Sequence, residues 1–188
     1  SNMPLAGYRV LDISTVVAAP FAAALLGDFG AEVIKVELPG VGDTLRSMGP
    51  YADGVSLWFA AMARNKKSVT LDLRKPKGRD LLLRLAAVSD VVAENFRPGT
   101  LEEWGLGYEA FRQANPGVVM VRVSGYGQTG PYRERYGFGT SCTAMSGLTY
   151  ITGQPDRAPE SPPFSLADYV AGLFAAFGAV MALLHRQR

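Results

Sequence analysis

Short apolar runs rich in strand-forming residues alternate with segments whose apolar positions recur at helical spacing, over the first two thirds of the chain. Runs of the first kind predict buried strands, and the periodic segments predict amphipathic helices. Strands that alternate with helices favour a parallel sheet covered on both faces, so the fold class is α/β. The predicted strands are 8–13, 32–37, 67–73, 90–95 and 117–124 (the last of them fully buried), and the predicted helices are 18–30, 56–64, 78–90, 100–105 and 108–114.

The last third of the chain has a different pattern. Helices are predicted at 138–150 and 165–187, and the Gly- and Pro-rich stretch TGQPDRAPESPP separates them. The longest apolar run, 169–184, is shorter than the roughly 20 residues that span a bilayer, so it predicts a buried core helix and no membrane association. The chain stops at HRQR directly behind this helix, as if cut from a longer protein. Residues 1–3, a tag remnant and a start Met, are set apart from the fold, which comprises 4–188.

Composition narrows the functional classes. The 188 residues are 48% hydrophobic and carry a formal net charge of +2, which fits one globular domain and gives no sign of a nucleic-acid partner. The single cysteine, Cys142, indicates a reducing compartment, and no secretion signal opens the chain, so a cytoplasmic location is expected. One Cys and one His, His185, leave no cluster for a zinc or iron–sulfur site, so no metal is predicted.

The segment GYGQTG at 125–130 follows the last predicted strand and has the spacing of a dinucleotide-binding fingerprint. That fingerprint needs a helix directly after its third glycine and an acidic residue about 20 positions further on. The following PYRERYG has no helical period, and 143–153 contains no acid. The context therefore argues against a nicotinamide site. The glycines either let backbone approach another ligand or form an ordinary surface turn, which spacing alone favours.

Six basic side chains crowd the segment RNKKSVTLDLRKPKG at 64–78, against one acid. Such a run is usually a solvated rim, but it could also clamp a phosphorylated ligand. The two basic clusters flank one predicted strand, so only one of them can face the carboxyl-end crevice where open α/β sheets bind ligands. This argument favours Arg74, Lys75 and Lys77.

Polar residues after the strand 90–95 and at the start of the last helix have both a structural and a functional interpretation. Asn95 and Arg97 follow the strand 90–95 and could meet a ligand, whereas Thr100 is explained as a helix cap. Asp168 opens the last helix, where an acid is favoured by the helix dipole, and Ser165 or Asp168 could cap it. The same dipole would keep a carboxylate ionised as a nucleophile, although the residues alone favour capping. His185 is read as structural, and Cys142 as a small buried residue.

Several stretches in a fixed order carry a resemblance that extends from Leu5 to about Leu184. The chain resembles the class III coenzyme A transferases, a family that includes formyl-CoA transferase, carnitine CoA-transferase and α-methylacyl-CoA racemase. Several motifs in a fixed order are far more specific evidence than any single motif. The motifs that carry the resemblance are LAGYRVLDISTVVAAPFAAALLGDFGAEVIKVELPGVGD, RNKKSVTLDL, SDVVAENFRPG, NPGVVMVRVSGYGQTGPY and AMSGLTYITG.

The resemblance implies a Rossmann-like domain that binds CoA and an interlocked homodimer. It implies transfer of CoA from an acyl-CoA to a carboxylic acid through an aspartyl mixed anhydride and an enzyme–CoA thioester. The nucleophile would be Asp168, with CoA as a substrate and no permanently bound cofactor, so the nucleotide near GYGQTG would be CoA. The implied CoA contacts are Val16, Val17, Leu71, Asp72, Leu73, Arg74, Asn95, Phe96, Arg97, Gly125, Gly127 and Arg135.

The chain departs from the family pattern at four points. Leu38 and Glu103 stand where members of the family carry arginines, which implies altered phosphate binding. Gly137-Phe138-Gly139-Thr140 stands where the racemases carry Gly-His-Asp, which makes a racemase or isomerase the less expected activity. The C-terminal domain of the family is absent, so this is expected to be the N-terminal CoA-binding portion, with a separate C-terminal half as one alternative. A non-catalytic CoA-binding fragment is another.

Overall fold

A parallel five-stranded sheet forms the centre of the protein in the computed structural model, which describes residues 2–188. Ser1, assigned above to the tag remnant, lies outside the described residues. The sheet order is β5-β2-β1-β6-β7, and a two-stranded hairpin, β3-β4, lies apart from it. The strands are β1 (Arg9–Asp12), β2 (Glu32–Glu37), β3 (Tyr51–Ala52), β4 (Val55–Ser56), β5 (Lys66–Thr70), β6 (Val91–Glu94) and β7 (Val119–Arg122). The helices are α1 (Ala18–Asp28), α2 (Leu57–Met62), α3 (Pro76–Ala86), α4 (Thr100–Glu103), α5 (Tyr108–Ala114), α6 (Gly139–Met145) and α7 (Leu166–Arg186).

The α/β fold class predicted from the alternating pattern is confirmed, and each predicted strand has its counterpart in the sheet. The prediction that 117–124 is fully buried is wrong. The strand there, β7, is only half-buried, because it lies at the edge of the sheet and pairs with β6 alone. The predicted helix at 138–150 ends early, at Met145, and turns occupy the residues that follow.

The alternation of side chains along the strands builds a core on each face of the sheet. Val10 of β1 belongs to the core formed with α1 and α7, where Leu26 and Leu183 meet. The next residue, Leu11, points to the opposite core, which is formed with α3, α4 and α5 and includes Phe111. Both faces of the sheet are therefore covered, as a parallel sheet requires.

Helix α7 is buried on one face only. Its small residues, among them Gly172 and Ala176, lie against α1, and a Cβ at Gly172 would come within 2.6 Å of the Ala18 carbonyl oxygen. The opposite face is exposed although it is apolar, so the prediction of a buried core helix is wrong for that face. We call it the α7 apolar face, and it consists of Val170, Leu173, Phe174, Phe177, Met181 and Leu184.

By length and hydropathy, α7 also meets the criterion for a membrane-spanning helix, with 22% of its most apolar window buried. Core helices of soluble proteins pass the same test. The absence of membrane association therefore stays a prediction.

The strand order reverses between β1 and β6. The chain leaves β1 through α1 towards β2, and it later returns to place β6 on the other side of β1. The connections that leave the carboxyl ends of β1 and β6 consequently diverge, and a crevice opens between them.

Candidate functional site

A cavity of about 1120 Å³ lies in this crevice at the carboxyl ends of the strands. Its walls come from the loops after β1, β6 and β7, from α2, from α6 and the loop before it, and from the start of α7. The segments that contribute most of the lining are 15–18, 95–98, 123–125, 135–143 and 161–171.

Asn95 links the two loops that flank the reversal of strand order. Its side-chain Nδ2 donates a hydrogen bond to the Thr15 carbonyl at 2.6 Å, and the Thr15 amide donates to Oδ1 of Asn95 at 2.9 Å. The amide side chain thus satisfies both backbone groups of Thr15, which fixes the loop after β1 against the loop after β6. Val16 and Val17, which follow Thr15, line the cavity.

Arg97 lies on the rim of the cavity, where it is engaged by the segment that follows GYGQTG. Its guanidinium donates to the Tyr136 hydroxyl at 2.9 Å and to the Glu134 carbonyl at 3.1 Å, and it stacks 4.5 Å from the Tyr136 ring centre. Arg135 also lines the cavity and stacks on Tyr132 at 3.9 Å. Two arginines therefore line this cavity, and guanidinium groups bind phosphate through charge-assisted hydrogen bonds.

Asp168 reaches the cavity from the first turn of α7. Its neighbour Tyr169 is fixed on two sides, because Trp58 Nε1 donates to the Tyr169 hydroxyl at 3.0 Å and Phe21 packs edge-on against its ring at 5.0 Å. Asp168 is half-buried, and burial raises the pKa of its carboxyl group above the ordinary value. Ser165 occupies the N-cap position of α7, one of the two capping positions expected, but its side chain makes no capping hydrogen bond.

Glycines allow close contacts that bring the start of α6 against this carboxylate. A Cβ on Gly125 would lie 2.6 Å from the Gly137 Cα, so the two backbones meet where neither residue has a side chain. A Cβ on Gly139, two residues further on, would lie 2.3 Å from Oδ2 of Asp168. The sequence patterns did not identify Gly137 or Gly139 as site residues, although their segment was noted as departing from the racemase motif.

Cys142 lies beside the same group and is half-buried, so the expectation of a buried thiol is only partly met. Its Sγ donates to the Gly125 carbonyl at 3.2 Å. Burial raises the pKa of the Cys142 thiol, and the charge on Asp168 raises it further. The thiol therefore stays protonated near neutral pH and is a poor nucleophile.

The cavity brings together most of the residues expected to bind a nucleotide, but not all of them. Leu73 is buried in the core with Leu71 packed beside it, and the ion pair between Asp72 and Arg74 at 2.8 Å is exposed outside the cavity wall. The expected residues that line the cavity are Val16, Val17, Asn95, Phe96, Arg97, Gly125, Arg135 and Asp168; those that do not are Leu71, Asp72, Leu73, Arg74 and Gly127. CoA contacts at all of these positions stay predictions.

The basic segment 64–78 is not uniformly a solvated rim. The Lys66 side chain is 2% exposed, and its Nζ lies 2.8 Å from Oδ2 of Asp12 and 2.7 Å from the Pro20 carbonyl. The rim interpretation is therefore wrong for Lys66, because its ammonium is buried between Asp12 of β1 and Pro20 of α1. In contrast, Arg64 and Lys67 form ion pairs at the surface, with Asp28 and Glu32.

The segment GYGQTG is followed by turns. No helix begins between 123 and 138, so the helix N-terminus that a dinucleotide fingerprint requires is missing there. Gly127 and Gly130 have positive φ angles of 79° and 90°, which a residue with a side chain rarely adopts. The glycines of this segment thus serve the turns and the contact with Gly137.

Comparison with known sequences gives a consistent family. The family whose sequence model matches residues 5–188 is described as CoA-transferase family III. A succinyl-CoA–D-citramalate CoA-transferase of Chloroflexus aurantiacus is 55% identical over 186 residues, which are 98% of this chain and 46% of that protein. A succinyl-CoA:glutarate CoA-transferase of Mus musculus is 47% identical over 190 residues, which are 100% of this chain and 43% of that protein.

Solved structures agree with the sequence comparison. A CAIB/BAIF family protein from Brucella suis superimposes with a TM-score of 0.95 at 39% identity, and the match covers 100% of this chain and 51% of that protein. The chain thus spans about half the length of the relatives that it matches.

Proposed function

The chain belongs to CoA-transferase family III, and we propose that it carries the centre at which CoA moves from an acyl-CoA thioester to a free carboxylic acid. The observation that carries this proposal is the Asp168 carboxylate, half-buried beside the Gly139 backbone in a cavity that Arg97 and Arg135 also line. A carboxylate that is partly shielded from water is a competent nucleophile towards an activated acyl group.

The proposed reaction proceeds through covalent intermediates on Asp168. One carboxylate oxygen attacks the thioester carbonyl, and the C–S bond breaks. CoA leaves as a thiolate, and the acyl group stays on Asp168 as a mixed anhydride. The thiolate then attacks the aspartyl carbonyl, which releases the donor acid and leaves CoA bound to the enzyme as a thioester. The acceptor carboxylate attacks that thioester and displaces the thiolate. Attack of the thiolate on the acceptor's acyl carbonyl yields the new acyl-CoA and restores the Asp168 carboxylate.

The nucleotide part of CoA suits the polar groups along the crevice. CoA carries several phosphate charges, and Arg97 and Arg135 are the cations that line the cavity among the described residues. The loop 15–17 and the backbone at Gly125 offer surfaces without charge for the pantetheine arm. We assign these residues to CoA binding and Asp168 to the reacting thioester.

The names of the relatives guide the choice of substrates. Those at 47–55% identity are named for succinyl-CoA as the donor and for D-citramalate, L-malate or glutarate as the second acid. All of these acids carry more than one carboxyl group. We therefore propose succinyl-CoA as donor and a short dicarboxylic acid as acceptor.

Titration of the purified protein with CoA and, separately, with NAD⁺ is expected to give binding of CoA alone. The reason is that the cavity has cations for phosphates but no helix N-terminus after GYGQTG to hold a dinucleotide. Isothermal calorimetry measures both ligands under the same conditions. Binding of NAD⁺ without CoA would refute the proposal.

The same preparation distinguishes the rival functions when it is given succinyl-CoA. Release of succinate with formation of a new acyl-CoA supports transfer. Entry of solvent deuterium at the α-carbon without an acceptor acid would instead indicate an isomerase. Binding of CoA with no covalent adduct on Asp168 would indicate a non-catalytic binding fragment.

We further propose that the protein is a homodimer whose interface includes the α7 apolar face. Phe174 and Phe177 are 70% and 64% exposed there, one helical turn apart, and contiguous apolar surface of this kind on a folded domain usually marks an interaction site.

Replacing both Phe174 and Phe177 by Ser is expected to weaken self-association at least about a hundredfold, because aromatic anchors dominate interface energies. Light scattering coupled to size exclusion measures the mass against concentration. The control is Phe29→Ser, since Phe29 is also exposed (56%) but lies outside this face. The control should leave the mass unchanged. An unsubstituted protein that stays monomeric at high concentration would contradict the dimer.

A further inference from the structure

Val16 has a backbone conformation that its side chain disfavours. Its φ angle is 65°, in the left-handed region, and for a β-branched residue this is a genuine outlier. Such strain persists only where the surroundings impose it. Val16 lies in the wall of the cavity, in the loop between β1 and α1.

Asp43 holds this residue from outside the cavity. Its Oδ1 accepts hydrogen bonds from the amides of Val16 at 3.1 Å and Leu45 at 2.9 Å. Asp43 itself is 3% exposed and is fixed by Glu37, whose Oε2 accepts the Asp43 amide at 2.9 Å. The carboxylate thus joins the loop after β2 to the strained residue after β1.

Lys35, a residue of β2, contacts both Asp43 and the loop after β1. Its Nζ lies 2.7 Å from Oδ2 of Asp43 and 3.8 Å from Oδ2 of Asp12, and it donates to the Ser14 carbonyl at 3.0 Å. Burial alone would lower the pKa of Lys35, but the carboxylates of Asp12 and Asp43 outweigh burial and raise it. The Lys35 ammonium is therefore charged. Because Lys66 lies beside Asp12, the buried cluster consists of two cations, Lys35 and Lys66, and two anions, Asp12 and Asp43.

A buried ionic cluster of this kind is an expensive way to stabilise a fold, since apolar side chains of the same volume often do as well. Its position suggests another role. Two of its members, Lys35 and Asp43, bond to the backbone of successive parts of one loop, at Ser14 and Val16. That loop lines the cavity, and Asn95 bonds to its middle residue, Thr15.

We propose that Asp43 and Lys35 are positioning residues that impose the left-handed conformation on Val16 and so shape the loop 14–17 to receive acyl-CoA. The identity of the ligand rests on the proposed function, whereas the constraint on Val16 does not. Without the Asp43 carboxylate the loop relaxes, and binding must first restore its shape. The loss therefore appears in affinity and hardly in the chemical step.

The test combines Asp43→Asn with Val16→Gly. Asp43→Asn is expected to raise the KM for acyl-CoA and the Kd for CoA about tenfold, with kcat within about twofold. Adding Val16→Gly should recover most of that loss, because glycine adopts a positive φ without strain. The control is Asp53→Gly, a second left-handed residue (φ 49°) that is exposed and lies outside the cavity. It should recover nothing.

Amide hydrogen exchange by NMR tests the constraint without reference to activity. In Asp43→Asn the Val16 amide should exchange at least about tenfold faster, while the amides of β1 keep their rates. Unchanged Val16 exchange, or affinity that Val16→Gly fails to recover, would overturn the inference. If the unsubstituted protein does not bind CoA and Val16 still loses protection in the variant, the proposed function fails and the constraint on Val16 stands.

Discussion

Replacing Asp168 by Asn is expected to lower the rate of CoA transfer by at least about a thousandfold, because an amide cannot form the covalent anhydride. The affinity for CoA should change less than about twofold, since the side chain keeps its size and the arginines proposed to bind the phosphates, Arg97 and Arg135, are unchanged. Steady-state kinetics and calorimetry measure the two quantities separately. The unsubstituted enzyme should also show, by intact-mass analysis of a quenched reaction, a CoA adduct that the variant lacks.

The control for this substitution is Asp156→Asn, an exposed acid in the Gly- and Pro-rich loop before α7, which should leave both rate and affinity unchanged. The pH profile supplies a second check. Burial raises the pKa of Asp168, and only the ionised carboxylate attacks. The value of kcat/KM should therefore fall as the pH drops through that raised pKa, earlier than for an ordinary aspartate. Turnover retained by Asp168→Asn would refute the nucleophile assignment.

Replacing Gly139 by Ala is expected to reduce transfer about a hundredfold. The added Cβ would lie 2.3 Å from Oδ2 of Asp168, so the carboxylate must move, and a displacement of about 1 Å from a productive geometry costs roughly this factor. CoA binding and the free energy of unfolding should change little, because Gly139 has an ordinary φ angle at the start of α6.

Gly178→Ala is the matched control for Gly139→Ala. Gly178 is in α7 with no atom within 4 Å of an added Cβ, so activity should be unchanged and α7 stabilised by about 0.5–1 kcal/mol. Kinetic assays with urea unfolding of both variants separate the two effects. Activity within about threefold of normal in Gly139→Ala would show that the contact does not fix the carboxylate.

Much of the fold could be predicted from the order of apolar runs, because a buried parallel strand needs a nearly continuous apolar stretch. The apolar pattern could not predict that β7 lies at the edge of the sheet, because local periodicity does not determine the order of the strands. Nor could it place Lys66, whose charge suggested solvent. Its actual environment depends on Asp12, which is distant in sequence.

Some residues of the site could likewise be predicted from the sequence, and others could not. Asn95 and Arg97 could be placed from their position after a strand, and the resemblance to a family singled out Asp168. Gly139 could not be predicted as a site residue, because what matters there is the absence of a side chain next to a carboxylate from another helix. The sequence also could not show whether the α7 apolar face is covered. A helix with a covered apolar face and a helix with an exposed one can have the same apolar sequence.

The packing of α7 against α1 also has a consequence for how the chain folds. The first helix is fully covered only when α7 has docked, so the apolar surface of α1 stays uncovered until α7 has been synthesised. Contacts between segments so far apart in sequence form slowly, because the intervening chain must first be ordered. A nascent chain that lacks α7 is therefore expected to expose this surface of α1, and exposed apolar surface makes a partly folded chain prone to aggregate.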